Sequence, residues 1–243
     1  MNPAADRRVA VVTGGARRLG RQLCLSLAAR GFDVIIVYRS SDHDARTLEQ
    51  EITASGARAR ALKVDVADKR AVAAAFAGIG AREGCVDLLV NNVGNYNPQN
   101  VTALDPDVWD DTLASNLSGA YYCCYGALPL MPDGGSIINI GMAGLEGIRA
   151  NTRGADYYVS KTGLLVLTRA LAAAYAPRQI RVNMVSPGQL ENSVDLPPPE
   201  ELSRWVPMGR SGTLGDIAQA VQYLLDAAYV TGQNIDVAGG YRL

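Results

Sequence analysis

Histidine is nearly absent from the chain and cysteine is scarce, with one and four copies in 243 residues. A single histidine, His43, excludes a multi-histidine metal site, and Ser-His-Asp catalysis would require His43 itself, which lies in a polar stretch typical of a solvated helix start. No C-x-x-C spacing occurs, so we expect no metal site and predict free, buried thiols in a reducing compartment. The four cysteines are Cys24, Cys85, Cys123 and Cys124.

The chain also lacks excess charge and long apolar runs. Lysine and arginine total 23 against 24 acidic residues, a formal net charge of −1, so no global field attracts a polyanion and we expect no nucleic-acid partner. The apolar run at residues 9–12 is too short for a signal-peptide core, and no stretch approaches the roughly 20 residues of a membrane-spanning helix. These absences predict a cytoplasmic protein with no membrane partner.

What is present is an alternation of short β-branched runs with longer segments of helical period. Strands are predicted at 9–13, 34–38, 59–64, 88–91, 136–140, 181–185 and 234–237, and helices at 19–30, 44–55, 69–76, 107–128, 157–175 and 214–227. This order predicts an α/β fold, a Rossmann-like doubly wound seven-stranded parallel sheet with helices on both faces, as one domain over 1–243. The proline-containing stretch 188–215 is predicted to be a substrate loop with one short helix.

A glycine-rich turn follows the first predicted strand and opens the first helix, as Thr-Gly-Gly-Ala-Arg-Arg-Leu-Gly at 13–20. Residues without Cβ let backbone N–H groups approach a pyrophosphate, and the helix N-terminus behind them carries partial positive charge. The phosphate-binding motif of NTPases can be aligned with residues 15–22. At the positions of its lysine and its serine or threonine the chain has Arg21 and Gln22, so no Mg²⁺ ligand is present there. A purely structural turn is the alternative.

The second predicted strand ends in Tyr38, Arg39 and Ser40, and no carboxylate follows until Asp42. In dinucleotide folds an acidic residue at this place binds the ribose 2′-OH, whereas arginine accommodates a 2′-phosphate. Arg39, together with Arg17 in the turn, therefore predicts NADP(H) rather than NAD(H).

Several short motifs occur in one order along nearly the whole chain, and together they resemble the short-chain dehydrogenase/reductase family. Arg18 in the glycine turn and the Arg39-Ser40 pair are more similar to the pteridine reductase branch than to the NAD-linked members. The motifs are the turn at 13–20, Asp65-Val66, Asn91-Asn92-Val93-Gly94, Asn116, Tyr157-x-x-x-Lys161 and Pro187-Gly188.

The resemblance implies roles for these residues. Asp65 and Val66 would border the adenine, and the segment after Pro187 would meet the nicotinamide amide. The long helices around Asn116 and Tyr157 would form the interface of a homo-oligomer, a tetramer or dimer. The predicted NADP(H)-binding residues are Gly14, Arg17, Arg18, Leu19, Gly20, Tyr38, Arg39, Ser40, Asp65, Val66, Asn92, Val93, Gly94, Tyr157, Lys161, Pro187, Gly188 and Leu190.

Tyr157 and Lys161 are four residues apart on a predicted helix and so share one face. A nearby ammonium favours the phenolate, so we expect Lys161 to lower the pKa of Tyr157 from its ordinary value of about 10. Tyr157 would then give a proton to the oxygen or nitrogen that hydride transfer leaves electron-rich. The family pattern further implies that Lys161 holds the cofactor ribose and that Asn116 orders a water beside it. Tyr158 has no lysine four residues on, so packing or substrate contact is expected of it.

The chain departs from the family where a serine usually follows the fifth strand. If the serine position is counted from the end of the predicted fifth strand, Met142 occupies it. If it is counted back from Tyr157, Gly144 occupies it. Neither has a hydroxyl, nor the acidic group of the pteridine reductases. Asn151 or Thr152 would replace the donor, or the substrate would be an imine, iminium or pterin that needs none, or the protein would bind NADP(H) without turnover, as a sensor or scaffold.

The leading prediction is an NADPH-dependent oxidoreductase that reduces a C=O or C=N bond of a small metabolite, with Tyr157, Lys161 and Asn116 as catalytic residues. The substrate itself is not predicted. Candidate pocket residues are Tyr96, Asn97, Met142, Leu145, Leu190 and Trp205.

Overall fold

The computed structural model describes residues 7–147 and 150–242. The strands are β1 (Arg8–Thr13), β2 (Phe32–Tyr38), β3 (Ala59–Lys63), β4 (Leu88–Asn91), β5 (Ser136–Ile140), β6 (Arg181–Pro187) and β7 (Asn234–Val237). The helices are α1 (Arg18–Ala29), α2 (Asp42–Ala54), α3 (Lys69–Glu83), α4 (Pro106–Leu113), α5 (Gly119–Ala127), α6 (Ala155–Tyr175), α7 (Pro199–Trp205) and α8 (Leu214–Asp226). The ends of the predicted domain, 1–243, lie outside the described residues, so its extent stays a prediction.

All neighbouring strands pair in parallel, in the order β3-β2-β1-β4-β5-β6-β7. Alternate residues of β1 enter opposite cores: Ala10 and Val12 pack on the side of α1 and α8, and Val9 and Val11 on the side of α3 and α5. A sheet covered on both faces needs apolar residues throughout each strand, which explains the β-branched runs. The predicted doubly wound seven-stranded fold is confirmed.

The strand order places β1 beside β4, so the chain leaves these two neighbours towards opposite halves of the sheet. At such a reversal the loops after the strands separate and leave a crevice at the carboxyl edge, the usual ligand position in doubly wound sheets. The glycine turn follows β1 and Asn92 follows β4, so both predicted cofactor segments lie at this crevice.

Two predicted segments differ in detail from the structure. The helix predicted at 107–128 is interrupted, because a π-helical turn, Ala114–Ser118, separates α4 from α5. Such turns widen the backbone and are frequent at functional sites. The predicted loop 188–215 contains one short helix, α7, as expected, and the prolines stand at its start, where the missing N–H is not needed.

Within residues 7–147 and 150–242, no helix combines the length and apolar character that a bilayer crossing requires. The same residues contain no group of three His, Cys, Asp or Glu side chains placed to hold a metal ion.

Candidate active site

The glycine turn is shaped to receive a phosphate group. Gly14 has a left-handed backbone (φ +61°), and a Cβ on Gly20 would lie 2.0 Å from the Gly14 carbonyl oxygen. Asn92 fixes the turn from the β4 side, since its Nδ2 donates to the carbonyls of Thr13 (3.0 Å) and Gly14 (3.2 Å). The N-cap of α1, Arg17, makes no side-chain capping bond, so no side chain covers the N–H groups of the first helical turn. This cradle fits a dinucleotide pyrophosphate.

A cavity of about 120 Å³ continues from the turn along the ends of β2 and β3. Arg39 stands on its rim, with Nη1 3.8 Å from Asp65 Oδ2, and both side chains are solvent-accessible. The predicted adenosine-side residues therefore come together at one place. The cavity is lined by Gly14, Val37, Tyr38, Arg39, Val64, Asp65, Val66, Val93, Asn95 and Ser115.

Three other predicted cofactor residues lie outside this cavity. Arg17 forms an ion pair at 2.5 Å with Asp44 of α2 and so does not flank the cavity as expected. Ser40 is exposed beside Arg39, and Leu19 packs against the core on the α1 side of the sheet. Of the two arginines predicted to recognise the 2′-phosphate, Arg39 lines the cavity and Arg17 does not, and the recognition itself stays a prediction.

A second cavity, of about 210 Å³, lies beyond the turn, and we call it the nicotinamide pocket. It brings together predicted residues from five separate segments: Arg18, Tyr96, Met142, Tyr157, and the Pro187-Gly188 pair. Its other lining residues are Ala143, Asn151, Arg153, Tyr158, Gln189, Asn192, Ser193, Val194, Asp195, Tyr241 and Arg242.

Three residues predicted to contact cofactor or substrate do not line this pocket. Leu190 and Leu145 are buried in apolar clusters, at 8% and 2% exposure. Trp205 ends α7 and is 54% exposed. Their side chains therefore do not form the wall of this pocket, and their predicted contacts with cofactor or substrate stay predictions.

Tyr157 and Lys161 project from the first two turns of α6 to the same place, as predicted. Lys161 is 1% exposed, and its Nζ donates to the Ile140 carbonyl at 2.8 Å and lies 5.6 Å from the Tyr157 ring centre. The Tyr157 ring packs edge-on against Tyr96, with centres 5.1 Å apart. The loop after β4 approaches closely because Gly94 lacks a side chain, since a Cβ there would be 3.2 Å from Lys161 Nζ.

We expected Lys161 to lower the pKa of Tyr157, and for the protein without cofactor this expectation is wrong. Burial, with the neighbouring Tyr96 and Asp195, raises the pKa of Tyr157 to about 12. Burial also lowers the pKa of Lys161 from 10.5 to about 8. Removal from water penalises both charged forms, and at this pair it outweighs the attraction between ammonium and phenolate.

Asn116 lies in the π-helical turn and holds two segments of the site together. Its Oδ1 accepts from the Asn95 N–H at 2.7 Å, and its Nδ2 donates to the Asn95 carbonyl at 2.9 Å and to Ser160 Oγ at 3.2 Å. Asn116 therefore holds the loop after β4 against α6. Its contact on α6, Ser160, is the residue directly before Lys161. Its predicted role in ordering a water stays a prediction.

Of the two positions considered for the missing serine, Met142 is the one on the pocket wall. Gly144 lies away from it, with its N–H bonded to Asp236 Oδ2 at 2.8 Å. Asn151 lines the pocket, whereas Thr152 is exposed and only its carbonyl is bound, by the Val101 N–H at 2.7 Å. Of the two replacements predicted for the absent donor, Asn151 is therefore the one whose side chain lines the pocket.

Besides Arg153, sequence reasoning missed two further charged pocket residues, Asp195 and Arg242. Asp195 accepts a hydrogen bond from the Tyr96 hydroxyl at 3.2 Å, and Arg242 donates one to the Tyr158 hydroxyl. Neither stands in a motif. Their charge was visible in the sequence, but only the folding of the 188–215 loop and of the C-terminal segment brings them to the pocket.

Comparison with known proteins gives matches over almost the whole chain. The family model for enoyl-(acyl carrier protein) reductase matches residues 14–242. The 3-oxoacyl-[acyl-carrier-protein] reductase FabG of Staphylococcus aureus (strain Mu50) is 34% identical over 239 residues, covering 95% of this chain and 96% of that protein.

Solved structures agree with this match. A blue fluorescent protein from a metagenomic library, in complex with NADPH, has 35% identity and a TM-score of 0.90, covering 97% of this chain and 98% of that one. A short-chain dehydrogenase from Burkholderia cenocepacia J2315, in complex with NADP, has 30% identity and a TM-score of 0.88, covering 96% and 97%.

Proposed function

The chain belongs to the short-chain dehydrogenase/reductase family, and we propose that it is an NADPH-dependent reductase of a C=O or C=N bond in a small metabolite. The observation that carries this proposal is the position of Tyr157. Its ring lines the same pocket as Arg18 from the phosphate turn and Gly188 after β6, and the buried Lys161 ammonium lies behind it. A proton donor thus stands at the nicotinamide end of a dinucleotide crevice.

NADP(H) is the cofactor that the residues fit. The glycine cradle suits the pyrophosphate, and Arg39 on the rim of the adenosine cavity suits a 2′-phosphate. The Asp65 carboxylate is 3.8 Å from Arg39, so binding requires that the guanidinium turn from the aspartate to the phosphate. Relatives of known structure bind NADPH and NADP.

When bound, NADPH supplies a hydride to the substrate carbon. The π electron pair of the C=O or C=N bond moves to the heteroatom, which takes its proton from the Tyr157 hydroxyl. Because the pKa of Tyr157 is raised to about 12, the phenol is fully protonated at neutral pH and ready to act as an acid. Once the proton has left, the Lys161 ammonium 5.6 Å from the ring stabilises the phenolate until solvent restores the proton.

The hydrogen-bond donor beside Tyr157 is proposed to be Asn151, one of the amides that line the pocket and the one that lies in the loop between β5 and α6. A second candidate, reduction of an imine or iminium, is favoured by Met142, because an apolar side chain faces the place where a carbonyl oxygen would seek a donor. If Asn151→Ala lowers turnover of ketones by about 100-fold, the typical effect of one lost donor, the ketone proposal holds. Unchanged ketone turnover would reject Asn151 as the donor, and turnover of imines but not of ketones by the parent would favour the C=N substrate.

The central experiment replaces Tyr157 by phenylalanine. We expect the Tyr157→Phe enzyme to bind NADPH with unchanged affinity, measured by nucleotide fluorescence, and to lose at least about 100-fold in kcat, because general acid catalysis contributes 10²–10⁴-fold. Tyr223→Phe, on the exposed face of α8, is the matched control and should keep full activity. A Tyr157→Phe enzyme as active as the parent would refute the acid role.

The remaining predictions concern assembly and location. We propose a homo-oligomer, a dimer or tetramer, through the faces of α5 and α6, where Tyr121, Tyr125 and Val166 are exposed. Sedimentation velocity tests the assembly, and a monomer at all concentrations would contradict it. The cytoplasmic location stays a prediction.

A further inference from the structure

The side chain of Arg242 is built into the wall of the nicotinamide pocket. Its guanidinium carbon lies 5.2 Å from the Tyr158 ring centre and 5.1 Å from that of Tyr241, and it donates a hydrogen bond to the Tyr158 hydroxyl. Its alkyl chain crosses Gly144, where a Cβ would stand 2.9 Å from Arg242 Cβ. Two aromatic rings and a glycine thus fix the direction of the guanidinium.

The backbone of Arg242 is also strained. Among the described residues, the non-glycine positions with a left-handed backbone are Arg18 (φ 48°), Gln179 (φ 56°) and Arg242 (φ 65°). Two of these three line the nicotinamide pocket. Such a conformation is unfavourable for a residue with a Cβ and is concentrated at binding sites, so strain and placement point to the same surface.

Among the residues that the structure describes, Arg242 has no acidic partner in the pocket. The pocket has three guanidiniums, of Arg18, Arg153 and Arg242, and one carboxylate, of Asp195. Arg18 belongs to the phosphate turn and Arg153 donates Nε to the Pro98 carbonyl at 3.3 Å. The carboxylate accepts from a tyrosine hydroxyl, and no ion pair within the described part of the chain includes Arg242.

A guanidinium has five N–H donors, and Arg242 gives one of them to a protein group that the structure describes. We propose that the remaining donors bind a carboxylate of the substrate, so that this chain reduces keto acids in preference to neutral ketones. Planar N–H pairs match carboxylate oxygens in two parallel bonds. This inference rests on the proposed reductase function and names the substrate class of the same pocket.

The carboxylate takes no part in electron transfer. NADPH gives a hydride to the keto carbon and becomes NADP⁺, the carbonyl π pair moves to oxygen, and that oxygen takes the Tyr157 proton, so a hydroxy acid forms with its carboxylate intact. Arg242 is therefore a specificity-determining residue that orients the keto group towards Tyr157.

The test compares each keto acid with its own methyl ester, which lacks the negative charge of the carboxylate and carries one additional methyl group. Pyruvate and levulinate, with their methyl esters, are the probes, because they place the carboxylate at two distances from the carbonyl. In the parent we expect higher kcat/KM for the acid of at least one pair. Arg242→Gln should lower that value by about 10- to 100-fold, the worth of a charged hydrogen-bond pair, and leave the ester unchanged.

Two further variants show whether Arg242 acts by binding the substrate carboxylate or only by supporting the pocket wall. Arg242→Lys should keep part of the acid preference, since it keeps the charge but not the two-pronged geometry. Arg70→Gln removes an exposed guanidinium on α3, outside the pocket, and should leave all four values unchanged.

The outcomes distinguish this inference from the proposed function. If Arg242→Gln lowers acid and ester equally, or if the parent prefers the ester in both pairs, the keto-acid assignment is overturned and the reductase proposal stands. If the parent oxidises no NADPH with any probe, calorimetric titration of pyruvate and levulinate into the NADPH complex decides. Binding of either acid that Arg242→Gln removes supports the assignment, and no binding by the parent rejects it.

Discussion

Lys161 offers a prediction in which stability and activity change in opposite directions. Its ammonium is 1% exposed, and burial lowers its pKa from 10.5 to about 8. That difference corresponds to about 3 kcal/mol. Below pH 8 the lysine is charged in the folded and unfolded protein alike, so the full cost opposes folding. Between about pH 8 and 10.5 the unfolded chain holds a proton that the folded chain has lost, so stability rises with pH.

Lys161→Met removes the titrating group and leaves a side chain of similar length. The variant avoids the cost of the buried charge but leaves the Ile140 carbonyl without its donor, at 2.8 Å in the parent, which costs about 1–3 kcal/mol. The net change near neutral pH is therefore small or stabilising. The lost hydrogen bond does not affect how this difference varies with pH. The free energy of unfolding of the variant minus that of the parent should fall by about 3 kcal/mol from about pH 7 to above pH 10.5.

Urea unfolding of the cofactor-free proteins, at fixed concentration and at several pH values, measures this difference. The same variant should lose turnover, because the phenolate of Tyr157 would no longer face an ammonium. A stability difference that does not change with pH would show that the folded lysine keeps an ordinary pKa, and the account of the buried pair would be refuted.

Three further variants test the cofactor cradle and the sheet core, and a fourth, on α3, is a control. Arg39→Ala should weaken NADPH binding by at least about 10-fold with little effect on NADH, in fluorescence titrations; equal losses for both would contradict the 2′-phosphate assignment. Gly20→Ala should abolish NADPH binding, because its Cβ would lie 2.0 Å from the Gly14 carbonyl oxygen, whereas Gly78→Ala, in open space on α3, should raise stability by about 0.5–1 kcal/mol. Asn139→Ala should cost about 2–4 kcal/mol in urea unfolding, because two buried hydrogen bonds of 2.8 Å are lost; a change below 1 kcal/mol would contradict this.

Local pattern was sufficient for the elements and for the cofactor crevice. β-branched runs alternating with helical segments predicted the seven strands in their correct places, because a doubly covered sheet requires apolar residues on both faces of each strand. Anchoring on the end of β5 correctly placed Met142, rather than Gly144, on the pocket wall. These predictions succeeded because the carboxyl ends of parallel strands meet at one edge whatever the length of the intervening helices.

The features that the sequence did not reveal depend on side-chain surroundings. Arg17 pairs with Asp44 of α2, and Leu145 and Leu190 turn into the core. The pKa of Tyr157 rises because burial outweighs the neighbouring charge. No spacing along the chain reports how much water a group loses.

By itself, the sequence determined the order of strands and helices, the glycine cradle, and the joint placement of Tyr157 and Lys161, because each of these follows from the period of a strand or helix over a few residues. Only the tertiary structure decided that Asp195 and Arg242 line the same pocket as Tyr157. Their positions depend on how a long loop and the C-terminal segment fold back over the sheet, and that path is set by packing between residues distant in the chain.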